Sequence, residues 1–153
     1  MTLTDLIYLN IINIAKEGDY KPDEKIRFYK YSLKLFELLF ESDYGFYYDR
    51  TNDLYIKIAE RYAEMKDLEN TLENLSLAAE HAVINDTKPD GVYSSIFTNR
   101  HDYKKEYVST NSMETSAKWI IDSMREETFD FCRDDAKFKT INKKLNEYKQ
   151  IKN

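Results

Sequence analysis

The sequence predicts an all-α fold: a right-handed stack of antiparallel helix pairs, about six helices in all, in one domain over residues 1–153. Three observations carry this reading. Between Leu54 and Ala82, two apolar patterns of helical period lie back to back, with Lys66-Asp67 between them and no proline. Three Gly and two Pro are too few for a turn-rich β architecture. A hydrophobic fraction of 42% with 33% charged residues suits a folded chain rather than a disordered or membranous one. A helix hairpin cannot bury its apolar face alone. It stacks on neighbours, and the stack leaves a concave surface suited to binding.

The elements follow in order. Thr4-Asp5 opens the first helix, Leu6, Ile7, Asn10, Ile11 and Ile14 mark one face, Leu9 and Ile12 widen it, and Gly18-Asp19 stops it. Pro22-Asp23-Glu24 begins the second, with proline in the first turn and acids at the positive end of the dipole. Ile26, Tyr29, Leu33, Phe36 and Phe40 recur at steps of three and four, while Phe28, Tyr31, Leu35 and Leu38 form a second stripe. A helix apolar on two sides packs between two neighbours, so the second helix is expected inside the stack. Asp43-Tyr44-Gly45 signals a turn. The third helix is expected from about Asn52 to Met65 and the fourth from about Asp67 to Asn85.

Periodicity then fails. Around residues 86–111, with the turn cluster Pro89-Asp90-Gly91, a long irregular connection is expected. Asn111, with Glu114 three residues on, resembles a capping box for a fifth helix reaching about Glu127, with Met113, Ala117, Ile120, Ile121 and Met124 inward. Asp134 is the expected cap of a sixth helix whose apolar positions are Phe138, Ile141, Leu145 and Tyr148.

Charge and composition narrow the function. A net charge of −5 leaves no overall footprint for nucleic acid. The charge is uneven, however: from Ala136 to Asn153, Lys137, Lys139, Lys143, Lys144, Lys149 and Lys152 face Glu147 alone. Those lysines suit the negative end of a last helix, or a contact for an acidic partner or a phosphate backbone. No apolar run reaches the length of a membrane span, and the N-terminus lacks the pattern of a signal peptide. Cys132 is the one cysteine, so no intrachain disulfide forms, and a reducing, cytoplasmic setting is expected.

No catalytic signature emerges. His81 and His101 stand apart in sequence, and Cys132 reads as a small buried hydrophobe. Glu60 with Glu64, and Asp122 with Glu126, share helix faces, as chance provides in a chain with 28 acidic residues. The spacings of nucleotide loops, nucleophile elbows and zinc motifs are missing. No enzyme activity, cofactor or metal is therefore expected.

The segment from Tyr55 to Ala78 resembles a tetratricopeptide (TPR) repeat. Tyr62 takes the signature tyrosine position, Tyr55 the aromatic one, Ile58 the aliphatic one, Ala59 the small one, Leu75 the large apolar one and Ala78 the second small one. Thr71 and Val83 depart from it, where alanine and proline are usual. Further on, Phe129-Asp130-Phe131-Cys132-Arg133-Asp134-Asp135-Ala136-Lys137-Phe138 looks like the "FDPIRDDPRF" segment that closes TPR-like regions, with Phe131, Cys132 and Ala136 as departures. Together with Tyr93-Ser94-Ser95, Phe97, Asn99 and Trp119, the order of these pieces resembles the C-terminal regulatory region of bacterial helix-turn-helix regulators of the XRE (Cro/repressor-like) family.

The resemblance implies a protein- or peptide-binding and oligomerisation domain, forming a homodimer, of a transcriptional regulator. DNA would be met only through a domain absent from this chain, and no membrane is involved. The alternative is a stand-alone TPR-like adaptor between proteins. The pattern places Asp53, Ile56, Lys57, Glu60 and Glu64 of the third helix on the partner-binding groove, with Lys57 and Glu60 able to pair at i,i+3.

Overall fold

Helical periodicity becomes helix along most of the chain. The computed structural model describes residues 3–40, 43–93, 101–103 and 114–149. Helices α1 (Leu3–Glu17) and α2 (Pro22–Phe40) precede a 3₁₀ turn at Gly45–Tyr47. Then come α3 (Tyr48–Glu64), α4 (Leu68–Thr87), strands β1 (Gly91–Tyr93) and β2 (His101–Tyr103), α5 (Ser116–Ser123), a second 3₁₀ segment (Glu127–Cys132) and α6 (Ala136–Tyr148). The fold is all-α. Consecutive helices pack in series from α1 to α4, and α5 and α6 pack on α4 and on each other.

The α3–α4 hairpin is the tightest unit. Lys66 takes a left-handed backbone, φ 59°. Its N–H donates to the Ala63 carbonyl and that of Asp67 to Tyr62, both at 3.0 Å, so the chain reverses without leaving carbonyls orphaned. The Asp67 carboxylate then accepts from the Asn70 N–H at 3.1 Å and caps α4. Ala59 and Ala63 on α3 and Ala78, Ala79 and Ala82 on α4 share one core, all 0–1% exposed. Side chains this small let the two backbones approach closely.

Two cores flank α3. Leu54 and Ile58 join Tyr8 and Ala15 of α1 and Ile26, Tyr29, Phe36 and Phe40 of α2. On the other side, Ile56, Ala59 and Ala63 join Leu72 and Leu75 of α4, Ile120 and Ile121 of α5, Phe129, and Phe138, Ile141 and Leu145 of α6.

Several expectations shift. α2 packs between α1 and α3 as expected, but its second stripe is only partly covered. Tyr31 and Leu38 of the second α2 stripe are 59% and 70% exposed. Tyr8 of α1 and Leu54 and Ile58 of α3 meet in one cluster with Ile26, Phe36 and Phe40; of the other stripe, Phe28 packs against this cluster and Leu35 is half-buried. α3 begins at Tyr48, ahead of Asn52, because the 3₁₀ turn runs straight into it after Gly45, whose φ of 52° favours glycine.

The connection expected to be irregular contains an antiparallel pair, Gly91 opposite Tyr103 and Tyr93 opposite His101. Asn111 and Met113 lie outside the described residues. α5 starts at Ser116, where the Thr115 hydroxyl accepts from the Lys118 N–H at 3.1 Å. The Asp86 carboxylate, at the end of α4, accepts the Ser116 and Ala117 N–H groups at 2.8 and 2.7 Å. α6 is capped by Asp135, which accepts from Lys137 and Phe138, while Asp134 pairs with Lys139 at 3.2 Å.

Candidate functional site

The five groove positions read from the sequence separate on α3. Ile56 is 1% exposed and belongs to the core. Asp53 accepts hydrogen bonds from the Tyr8 hydroxyl and from Lys57 Nζ, the latter at 2.8 Å, so these residues tie α1 to α3. Lys57 thus pairs with Asp53 at i,i+4 rather than with Glu60. Burial and the adjacent Asp53 push the Tyr8 phenol up. Burial pulls the Lys57 ammonium down, but Asp53 outweighs it and holds Lys57 above its usual range.

Glu60 and Glu64 do face an open space. With Arg61 they form one wall of a cleft of about 670 Å3. Trp119, Asp122 and Ser123 of α5 form the second wall, and Glu126, Glu127 and Thr128 close the end. The lining holds five carboxylates against one guanidinium. Arg61 is shared between Glu60 at 3.2 Å and Glu64 at 3.0 Å, and its Nε–H is buried without an acceptor among the described residues. Burial pushes the Glu60 carboxyl up, against the pull of Lys57 and Arg61. Asp122 is held by Lys118 and by Arg125 at 2.7 Å. Its hydrogen bond from Lys118 sets it below the usual carboxylate range. Glu126 and Glu127 make no ion pair among the described residues, although Arg133 donates to the Glu126 carbonyl at 3.1 Å.

Trp119 stands on the cleft wall, 38% exposed. An indole beside carboxylates favours a positively charged guest, since the ring face attracts cations and the acids neutralise them. The sequence carried half of this signal. Glu60 with Glu64 and Asp122 with Glu126 are legible as same-face pairs, but their convergence on one cleft depends on α5 docking beside α3.

His81 and Cys132 are held within the fold. His81 Nδ1 lies 2.7 Å from the Thr51 hydroxyl, and the rings of Tyr44, Tyr48 and Tyr55 stand 5.4, 5.3 and 5.0 Å from the imidazole. Burial takes the His81 pKa down to about 4 and that of Tyr55 up to about 12. Lys88 completes this cluster, with Nζ 4.9 Å above the Tyr48 ring and paired with Asp43. The Cys132 thiol is buried, donates to the Phe129 carbonyl at 3.1 Å and is pushed up by burial, which disfavours the thiolate. The His101 side chain lies outside the described residues.

Among the described residues, no His, Cys, Asp and Glu side chains cluster in a way that would hold a metal ion, and no helix is long and apolar enough to cross a membrane. In comparison with known proteins, the chain matches no family model, no curated protein and no solved structure.

Proposed function

We propose that this chain is a helical-repeat binding module that takes a positively charged protein segment into the cleft between α3 and α5. The observation that carries it is the cleft itself: Trp119 on one wall, with the Glu60–Glu64 and Asp122–Glu126 pairs converging on the same space. A lysine or arginine entering there meets an aromatic face, its stem covers the indole, and its charge meets Glu126 and Glu127, which make no ion pair among the described residues. In the wider setting, the resemblance around Tyr55 to Ala78 and Phe129 to Phe138 supports a regulatory and oligomerisation role in a cytoplasmic helix-turn-helix regulator. In that setting, a bound segment reports to a DNA-binding domain on another stretch of chain, and the module itself has no catalytic step.

Trp119 is the one tryptophan, so the cleft contains its own fluorophore. Titration with an oligolysine peptide at low salt is expected to change its emission saturably, and Glu64→Lys with Glu126→Lys is expected to abolish the change. An unaltered response in that double variant refutes the assignment.

A further inference from the structure

The molecule also carries the complement of this cleft. The outward face of α6 presents Lys137, Lys139, Lys143 and Lys144 against a single acid, Glu147, all exposed. Lys139 is partnered by Asp134, whereas Lys137, Lys143 and Lys144 make no ion pair among the described residues. The core side of α6, through Phe138, Ile141 and Leu145, is fixed on the neighbouring helices, so the lysines are held on a rigid rod rather than on a tail. A rigid rod loses little freedom on docking.

We propose that α6 of one copy docks its lysine face into the acidic cleft of a second copy. This rests on the reading of the cleft as a docking site for cationic protein segments, and it names the partner as the chain itself. Three observations favour a second copy. The cleft lining is strongly acidic, with a half-exposed indole on its wall. The α6 face is basic and pre-formed. Both lie on the same chain, so every molecule that offers one offers the other. Reciprocal docking closes a dimer about a two-fold axis. Exposed ion pairs are individually weak, so the contact depends on several together and is sensitive to salt.

Sedimentation of the full chain is the test. Wild type is expected to associate at low salt, and association should weaken at least about tenfold between about 0.05 and about 0.5 M salt. The cleft-reversed variant, Glu64→Lys with Glu126→Lys, and the helix-reversed variant, Lys143→Glu with Lys144→Glu, should each be monomeric. All four side chains are exposed, so helicity by circular dichroism should match wild type. Mixed in equal amounts, the two variants should associate, because each supplies the charge the other lacks.

A monomeric wild type overturns the proposal. If oligolysine still perturbs Trp119 in that case, the cleft reading stands and only self-docking falls; if it does not, both fall. Association of wild type without restoration in the mixture places the contact elsewhere and overturns the proposal as well. Duplex DNA retained by wild type and released by Lys143→Glu with Lys144→Glu assigns the lysine face to phosphate, and self-docking falls with it.

Discussion

Replacing His81 with phenylalanine should remove a defined portion of the acid sensitivity of this fold. The imidazole sits among Tyr44, Tyr48 and Tyr55 with Nδ1 at the Thr51 hydroxyl, and burial lowers its pKa from 6.5 to about 4 against an opposing pull from Glu80. The native state keeps the ring neutral where the unfolded chain accepts a proton. Stability from this site is therefore whole above 6.5 and is lost as pH falls toward about 4. The interval corresponds to about 3 kcal/mol if fully expressed. His81 is only partly buried, and solvent screening reduces this to about 1–2 kcal/mol.

The assay is urea unfolding followed by circular dichroism at about pH 7 and about pH 5, with wild type expected to lose about 1 kcal/mol more than His81→Phe over that interval. Phenylalanine keeps a ring among the tyrosines, and the Thr51 hydroxyl retains the Tyr48 carbonyl at 3.1 Å as an acceptor. Glu60 and Asp49, both pushed up by burial, titrate with the opposite sign, but they do so in both proteins and cancel in the difference. Equal losses in the two proteins refute the reasoning.

Two further outcomes are expected. At Lys66, φ 59°, a β-branched side chain is strained, so Lys66→Val should cost about 1–2 kcal/mol in urea unfolding while Lys66→Gly costs less than half of that; equal costs would mean that the turn relaxes. Asp86→Ala removes a carboxylate from two backbone donors of α5 and should cost about 1–2 kcal/mol, with faster amide exchange at Ser116 and Ala117 as the local sign; unchanged exchange there would dismiss Asp86 as a tie between α4 and α5.

The helices were legible because their signals are local. Asp67 capping α4, the alanines at 59 and 78, and the spacing of Phe138, Ile141 and Leu145 can each be read within one or two turns of chain. What escaped depends on neighbours. Periodicity announces that α2 has two apolar stripes, but not that the second is split, with Phe28 joining the core and Tyr31 and Leu38 left outside. The second apolar side of α3 is hidden in alanines, which carry little hydrophobic signal but disappear fully against α4. The tie from Asp86 to the start of α5 escaped for a stronger reason: Asp86 is 30 residues from Ser116 and no local pattern joins them, whereas the cap itself, Thr115, is local. The cleft combines both difficulties, with legible pairs on separate helices and a meeting point set by the docking of α5 beside α3.

The position of α3 between two cores has a mechanical consequence. A rod gripped along both flanks cannot roll to suit one neighbour without straining the other. Glu60 and Glu64 project from the same spindle that seats Leu54 and Ile58 against Phe36 and its surroundings. Torque applied at the cleft thus reaches the N-terminal helices through one stiff axle, with no loop in between to absorb it.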